Sequence, residues 1–287
     1  MPSAKPKTPA WARLALGGAA AILLAGASVG LAVAADTSDL VSQDRLRVCA
    51  DPANPPLSEK DGSGFENAIA ELLAIEVGRT VEYTWYPQAT GFVRQTLSAG
   101  RCDVIIGYPQ GDELVLNTNA YYTSAYVLVV PADSGLADVT SLADPRLQGR
   151  RIGVIAGTPP ASHLARHRLL ATTKGYNLMV DTRHEHPNEE MLADLLAGRL
   201  DVAIMWGPIG GPLAHAHGGS LVVTPLIGES GGPRLFYRIT MGVRQGEQRW
   251  KRELNALLRR NQDRINAILV EAGVPLLDDR GEKRIDQ

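Results

Sequence analysis

The hexapeptide Ala-Gly-Arg-X-Asp-Val occurs twice in this chain, at residues 99–104 and again at residues 197–202. Each copy is predicted to end a helix, turn on its glycine and enter an apolar strand. Each copy is also the last step of a predicted strand–helix–strand–helix–strand series. The repeat therefore predicts two similar α/β lobes with a cleft between them, an architecture that favours binding over reaction.

The start of the chain has the layout of a secretory signal peptide. Three basic residues precede the uncharged stretch 14–35, which closes on the small-residue motif Ala32-Val33-Ala34. Cleavage near the end of this motif assigns residues 1–35 to the signal and predicts a periplasmic protein without stable membrane insertion. The alternative is an uncleaved anchor, because about 20 apolar residues can span a bilayer.

The remaining chain is long enough for two modest α/β domains. Removing the basic residues of the signal takes the formal net charge from −2 to −5. A negative balance argues against a nucleic-acid partner and is compatible with binding a cation or a basic protein surface.

The chain has two cysteines, Cys49 and Cys102. Export to an oxidising compartment and an even count favour a disulfide. Both residues are predicted in or at the start of neighbouring strands, which seldom offer good bridge geometry. A disulfide and two buried thiols therefore both remain open.

The apolar pattern predicts the elements of each lobe. In the first lobe, strands are predicted at residues 46–50, 81–85 and 103–107, and helices at 65–77 and 92–97. In the second lobe, strands are predicted at residues 151–155, 178–180, 201–205 and 221–223, with one helix capped by Thr158 and another running from an Asn188 cap to residue 196. A final helix over residues 248–271 is expected to pack on the first lobe.

Two long extended runs are predicted to cross between the lobes, near residues 126–130 and 237–243. These crossings would form a two-stranded hinge. The first lobe would comprise residues 45–126 and 241–287, and the second lobe residues 127–240.

This arrangement resembles the type II periplasmic solute-binding fold, in particular the amino-acid-binding type, solute-binding family 3. The matching signatures are Leu46-Arg47-Val48 with Asp51 and Pro56, Gly64-Phe65-Glu66, residues 100–103, Tyr121-Tyr122, Gly153-Val154 with Gly157-Thr158, and Asp201. The resemblance spans residues 45–271 and implies two lobes that can close on a guest.

A narrower resemblance is to the quinoprotein-dehydrogenase-associated (MxaJ/XoxJ-type) members, which are encoded beside pyrroloquinoline-quinone (PQQ) methanol dehydrogenases. Its motifs are residues 47–52, 62–67, 83–88 and 91–94, and Met205-Trp206-Gly207-Pro208. The resemblance implies an accessory protein that docks on the dehydrogenase in the periplasm and helps it to mature or become active.

The ionic clamp that the amino-acid binders use is missing from the corresponding positions. Members of that type hold the ligand carboxylate with an Arg shortly before the tyrosine segment, but residues 111–114 here are Gly-Asp-Glu-Leu. They hold the ligand ammonium with an Asp at the position where this chain has Trp206. An amino-acid carboxylate would be repelled and its ammonium unpaired, so a free amino acid is a poor candidate ligand.

Aromatic residues are sparse, at 5% of the chain, yet several fall at predicted cleft edges. Trp85, Tyr86, Tyr108 and Trp206 are expected to form the binding surface, as rigid anchors for a protein loop or a flat ligand. Core packing is the alternative for part of the aromatic set. The full set of residues predicted to line the cleft is Asp51, Glu66, Trp85, Tyr86, Arg94, Tyr108, Tyr121, Thr158 and Trp206.

Other motifs have plainer explanations. Gly62-Ser63-Gly64 lacks the third glycine and the lysine of a nucleotide loop, so it predicts a turn. Gly157-Thr158-Pro159 begins a helix and is open to either a structural role or an anion-binding role. His163 and His167 have a spacing that a metal can use, but no Glu follows His163, so structural histidines and no metal site are predicted.

No nucleophile or metal motif supports catalysis, so we expect a binding protein without a resident cofactor and not an enzyme. The leading hypothesis is a periplasmic accessory factor of a PQQ-dependent methanol or alcohol dehydrogenase, with a role in methanol oxidation. The alternative is an ABC-transporter solute-binding protein for a small ligand other than an amino acid. A dehydratase using Glu66 or Asp51 as general acid is a distant third, because the sequence indicates no carboxyl with a raised pKa.

Overall fold

A computed structural model of the chain describes residues 40–285. The predicted signal peptide, residues 1–35, lies outside the described residues. Within the described part, no helix has both the length and the apolar character needed to cross a membrane.

The described chain alternates strands and helices, as an α/β protein does. The strands are β1 (Arg45–Ala50), β2 (Ala53–Asn54), β3 (Ser58–Glu59), β4 (Thr80–Trp85), β5 (Val104–Pro109), β6 (Leu116–Asn117), β7 (Tyr122–Pro131), β8 (Ile152–Ile155), β9 (Thr173–Tyr176), β10 (Val202–Trp206), β11 (Leu221–Pro225) and β12 (Phe236–Val243). The helices are α1 (Phe65–Glu76), α2 (Phe92–Gln95), α3 (Pro159–Arg166), α4 (Pro187–Leu196), α5 (Gly207–His215), α6 (Gln248–Arg260) and α7 (Gln262–Glu271).

Each lobe contains the same parallel three-stranded unit. In the first lobe β1 lies between β4 and β5 and is parallel to both. In the second lobe β8 lies between β9 and β10, again parallel to both. Parallel neighbours need crossover connections, which α1, α3 and α4 help to provide. The prediction of two α/β lobes is confirmed.

Two long antiparallel strands run between these units. The sheet order is β4-β1-β5-β12-β7-β10-β8-β9, so β12 and β7 occupy its centre. Along β7, residues 122–125 pair with β12 and residues 126–129 pair with β10. Because the partner changes between Ala125 and Tyr126, we propose that the first lobe ends there.

The first copy of the repeated hexapeptide accepts hydrogen bonds from an arginine of β1, an arrangement that we call the clasp. Gly100 has a left-handed φ of +70°, a conformation that glycine adopts without the steric cost of a side chain. Asp103 then accepts hydrogen bonds from Arg47 Nε at 2.8 Å and Nη2 at 2.6 Å. Arg47 Nη1 also donates to the Gly100 carbonyl at 3.2 Å. The repeat therefore fixes the turn and the register of β1 together.

The second copy makes the same clasp on β8. Gly198 has a φ of +66°, and Arg151 Nη1 donates to its carbonyl at 2.7 Å. Arg151 also donates to Asp201 from Nε at 3.1 Å and from Nη2 at 2.5 Å. The repeat is therefore explained by a structural role, which is the same in both lobes.

The apolar core is divided between the lobes. In the first lobe, α1, α6 and α7 pack on one face of the sheet, where Ile69, Trp250 and Leu254 are buried. The other face carries a smaller cluster around Phe92. In the second lobe the two faces of the sheet carry separate clusters around Leu128 and Met191. The final helical segment packs on the first lobe, as predicted.

Cys49 and Cys102 form a disulfide, with their Cα atoms 5.4 Å apart. This separation lies within the usual range for disulfides. The expectation of poor geometry was wrong because Cys102 precedes β5, which begins at Val104. Cys102 therefore lies outside the regular ladder between β1 and β5.

The strand predicted at residues 178–180 is wrong. The strand that follows α3 is instead β9, at Thr173–Tyr176, which pairs in parallel with β8. Leu178 and Met179 are instead 51% and 58% exposed. At this edge of the sheet only Tyr176 is buried in β9, so the strand lacks the apolar run by which buried strands are recognised.

Two helix boundaries also differ from the predictions. The final helix is broken into α6 and α7 at Asn261, whose side-chain amide donates to the Leu257 carbonyl at 3.1 Å. Short polar side chains of this kind compete with helical backbone bonding. Helix α4 begins at Pro187, with His186 rather than Asn188 at the N-cap position; proline is well suited to the first helical position.

Candidate functional site

The candidate site is the cleft at the carboxyl ends of the parallel strands of both lobes. In the first lobe β1 leads to Asp51 and β4 ends on Trp85. In the second lobe β8 leads to the start of α3 at Thr158, and β10 ends on Trp206. Crevices at the carboxyl ends of parallel strands are the usual ligand sites of α/β folds.

Aromatic side chains contact one another at and beside these strand ends. Trp206 makes edge-to-face contacts with Tyr126, at 5.4 Å between ring centroids, and with Tyr237, at 5.8 Å. Trp85 stacks on Tyr83 at 4.4 Å. Trp85, Trp206 and Tyr237 all pack against the apolar core of the first lobe. A residue on a strand of the second lobe therefore joins the core of the first.

Tyr126 and Tyr237 were not among the predicted site residues. They lie on β7 and β12, the two long strands shared between the lobes. Their place in the predicted crossings is a signal that could have pointed to them, but it was not used. Burial raises the pKa of Tyr126 to about 12, so its hydroxyl stays protonated at neutral pH.

Glu66 places a carboxyl group beside this aromatic cluster. It lies in the first turn of α1, and its Oε1 lies against Gly107, where an added Cβ would clash with it. Burial raises the pKa of Glu66 to about 7. Among residues 40–285, Glu66 has no hydrogen-bond or ion-pair partner through its carboxyl group. Glu66 therefore offers a carboxyl with no guanidinium bound to it, which is not the paired clamp that a free amino acid needs.

Replacing Glu66 by Gln should stabilise the protein in alkaline solution. The folded-state pKa of about 7 exceeds the ordinary value of 4.5, so wild-type stability falls as pH rises between these values and the ionised, unpartnered group then opposes folding. Because the residue keeps some solvent contact, we expect a gain of about 2 kcal/mol above the folded pKa. Thermal denaturation should give a Tm increase of about 4–8 °C there and little difference below pH 4.5.

The matched control for this prediction is Glu71→Gln, on the exposed side of the same helix. Because Glu71 is exposed, its replacement should change the Tm only slightly. Equal pH dependence of the Glu66 and Glu71 variants would contradict the account.

Asp51 connects the lobes. It is 1% exposed, and its carboxylate accepts hydrogen bonds from the backbone N–H groups of Ala53 at 2.9 Å and Gln88 at 2.6 Å. Thr182, in the segment of the second lobe between β9 and α4, donates its hydroxyl to both Asp51 oxygens at 2.9 Å. This bond joins the two walls of the cleft at its edge. No sequence signal pointed to Thr182.

Replacing Thr182 by Val should loosen the contact between the lobes while keeping the side-chain shape. We expect a loss of about 1 kcal/mol in the free energy of unfolding and an increase in the radius of gyration measured by small-angle X-ray scattering. Thr173→Val is the control, because the Thr173 hydroxyl donates to Leu169 within the second lobe. If the radius of gyration changes for both variants, or for neither, the Thr182–Asp51 hydrogen bond does not hold the lobes together.

A second part of the site is an apolar groove on the first lobe, which we call the outer groove. It has a volume of about 510 Å³ and is lined by residues 88–94, Ser98, Tyr108, Leu114 and Met179. Leu114 and Met179 are 64% and 58% exposed, and Met179 comes from the same segment as Thr182. The structure therefore brings Arg94 and Tyr108 together here, apart from the aromatic cluster.

Three other residues were predicted to line the cleft, namely Tyr121, Tyr86 and Thr158. Tyr121 is buried in the first-lobe core and donates its hydroxyl to the Ile106 carbonyl at 3.1 Å, so its placement in the cleft was wrong. Tyr86 packs at the edge of the cluster around Phe92. Thr158 occupies the N-cap position of α3 beside Tyr126. Its hydroxyl donates back to the Ile155 carbonyl at 2.6 Å, so it does not cap the helix with its side chain.

Comparison with known proteins places this geometry in a family. Residues 46–268 match the bacterial extracellular solute-binding proteins, family 3. Protein MoxJ of Methylorubrum extorquens is 33% identical over 247 residues, which cover 81% of this chain and 81% of the relative. Protein MoxJ of Paracoccus denitrificans is 30% identical over 277 residues, which cover 91% of this chain and 96% of the relative.

The crystal structure of the periplasmic binding protein XoxJ from Methylobacterium extorquens AM1 is also similar. It shares 44% sequence identity and superposes with a TM-score of 0.70, over 82% of this chain and 100% of that chain. Together with the two-lobed fold, these matches show that the chain belongs to the bacterial extracellular solute-binding proteins, family 3, and that within the family it is similar to MoxJ and XoxJ.

Proposed function

We propose that this protein acts in the periplasm as a non-enzymatic accessory factor, which binds a PQQ-dependent methanol or alcohol dehydrogenase and assists its maturation or activation. The similarity to MoxJ and XoxJ supports this proposal, as does the resemblance of the motifs around Trp206 to the dehydrogenase-associated members. The single structural observation on which the proposal rests is the aromatic cluster in which Trp206 contacts Tyr126 and Tyr237.

The chemistry of the cleft argues against a free amino acid as the ligand. Its zwitterion needs opposite charges at both ends, and stripping either end of water without a partner is costly. Glu66 is predicted to line the cleft, and its raised pKa of about 7 leaves it only partly ionised at neutral pH. Trp206 offers an apolar ring where an ammonium group would need an acceptor. A protein segment suits these walls better.

A raised carboxyl pKa is also what a general acid needs, as the dehydratase hypothesis requires. Glu66, however, makes no hydrogen bond to a second titratable group in the described part of the chain. General acid–base chemistry usually pairs such groups. We therefore favour binding over catalysis.

The outer groove is the surface that we propose for contact with the dehydrogenase. It combines exposed Leu114 and Met179 with the buried residues Phe92 and Tyr108. Apolar anchors beside a charged rim residue, here Arg94, are typical of protein interfaces. The groove also touches the segment that holds Thr182, so a partner bound there would contact both lobes.

Surface plasmon resonance tests this proposal with the purified dehydrogenase, both with and without its quinone, flowed over the mature protein. Leu114→Asp and Met179→Asp should each weaken binding at least about tenfold, equivalent to about 1.4 kcal/mol. Ile75→Asp is the matched control, because Ile75 is an exposed apolar residue on α1, 69% exposed. No complex with either form at micromolar concentration would reject the proposed function.

The second candidate is a solute-binding protein of an import system, with a metal chelate, the quinone cofactor or an alcohol-derived metabolite as ligand. Membership of solute-binding family 3 and the Thr182–Asp51 contact across the cleft favour it. Thermal-shift screening distinguishes the candidates, because a ligand at about 100 times its Kd adds about 2.7 kcal/mol of stability.

A further inference from the structure

Three side chains of the second lobe form a compact donor cluster. His163 and His167 lie one turn apart at the end of α3, and Glu229 reaches them from the segment between β11 and β12. Glu229 Oε1 is 3.2 Å from His163 Nδ1 and 2.7 Å from His167 Nε2. The three donor atoms all lie within 4.8 Å of one another. The His163 and Glu229 side chains are 1% and 3% exposed, and that of His167 is 19% exposed.

The other ring nitrogen of His163 decides what its Nδ1 can do. His163 Nε2 is 2.7 Å from the Pro233 carbonyl oxygen, which only accepts, so Nε2 bears the proton. In a neutral imidazole Nδ1 then presents a lone pair toward the Glu229 carboxylate. Two acceptors facing each other require a cation between them, either a proton or a metal ion.

Hydrogen bonds also fix the second carboxylate oxygen of Glu229. Oε2 accepts a hydrogen bond from the Ser141 hydroxyl at 2.8 Å and from the Leu142 N–H at 2.7 Å. The carboxylate is therefore held with its other oxygen, Oε1, oriented toward the two histidines.

We propose that His163, His167 and Glu229 bind a divalent transition-metal ion, with zinc the best match. Two imidazole nitrogens and one carboxylate oxygen are a three-ligand zinc set with one open position. A backbone carbonyl on the far nitrogen of a histidine, and hydrogen bonds on the free carboxylate oxygen, are the outer contacts that metal ligands have. On binding, the ion replaces the proton between His167 Nε2 and Glu229, and that proton moves to His167 Nδ1, or to solvent if the ring already carries a second proton.

The surroundings leave room for the fourth ligand. A cavity of about 330 Å³ is lined by His163, Glu229, residues 231–236 and part of the C-terminal segment. Water from this cavity can complete the coordination. A Cβ added at Gly232 would lie 2.9 Å from His163 Cε1, so the backbone passes close over the ring. The ion would thereby fasten the segment before β12 to α3.

Calorimetric titration of the mature, untagged protein with zinc chloride, after treatment with a chelator, tests this site. We expect one zinc ion per chain by elemental analysis and a cobalt-substituted form with the visible absorption of four-coordinate Co²⁺. His167→Ala and Glu229→Gln should each weaken zinc binding about 100-fold or more. Ser141→Ala should weaken it about tenfold, because an outer contact is worth about 10–100-fold.

The control is a double variant of the exposed pair, His184→Ala with His186→Ala, which should bind zinc as the wild type does. Far-UV circular dichroism verifies that each variant is folded. The site is rejected if the wild type binds no zinc at micromolar concentration. It is also rejected if His167→Ala and Glu229→Gln retain full affinity, or if the control pair accounts for the binding.

Discussion

Replacing Asp103 by alanine should lower the free energy of unfolding by about 3–5 kcal/mol, the usual cost of removing one partner from a buried ion pair. Asp103 is 1% exposed and accepts from Arg47 and, at 2.7 Å, from Arg244 Nη2. It also accepts from the Ser42 N–H at 3.1 Å. The substitution leaves two guanidinium groups without this carboxylate, and Arg244 is itself only 10% exposed.

The repeat provides a matched control at Asp201. This residue makes the same clasp, but its side chain is 24% exposed and its partner Arg151 is 52% exposed. Solvent-exposed ion pairs contribute about 1 kcal/mol or less, so Asp201→Ala should have a small effect. Urea denaturation at neutral pH measures both variants. Equal losses at the two sites would contradict the claim that burial separates the two copies.

The Asp103 variant should also affect the site. Asp103 fixes β1 beside the start of β5, and the ends of these strands lead to Asp51 and Tyr108. A shift in this register would move one wall of the cleft. Binding to the dehydrogenase should therefore weaken in the Asp103 variant and be unchanged in the Asp201 variant.

Removing the disulfide should have an effect of similar size. Cys49 and Cys102 are separated by 53 residues, and closing a loop of that length restricts the unfolded chain by about 4 kcal/mol. The double variant Cys49→Ala with Cys102→Ala should lose about that amount, or about 10 °C in Tm for a chain of this size. Both side chains are buried, so a packing loss adds to the entropic one.

Reduction of the wild type provides the control for this prediction. Dithiothreitol should lower the Tm of the wild type toward that of the double variant and leave the variant unchanged. If the wild type tolerates reduction with no change in Tm, the bridge does not stabilise the protein. Free thiols titrated in the native oxidised protein would contradict the bridge itself.

The fold was largely predictable because its signals are local and repeated. The hexapeptide marks a turn that only glycine adopts easily, followed by an aspartate that clasps an arginine one strand away, so two copies predicted two lobes. The strand after α3 was misplaced because β9 lies at a sheet edge and buries only Tyr176. Its pattern is weaker than that of the apolar run at residues 178–180 beyond it.

The candidate site was predictable in part. Trp85 and Trp206 were expected at strand ends and are found there, and their role in binding stays a prediction. The position of Tyr121 was predicted wrongly, because the alternation of side chains along a strand does not indicate which of its two faces packs on the core. Thr182 and Glu229 lie in irregular segments, where sequence spacing does not determine which distant residue a side chain meets. Only the folded chain brings Thr182 to Asp51.

Isothermal titration calorimetry with two kinds of titrant tests the central claim most directly. The claim is that the protein binds a protein partner and not a free amino acid. The mature protein is titrated with the PQQ-dependent dehydrogenase and, separately, with a panel of free amino acids under the same conditions. The account predicts saturable binding of the dehydrogenase at micromolar concentration and no heat of binding with any amino acid. Micromolar binding of one amino acid, with no binding of the dehydrogenase in either form, would contradict it.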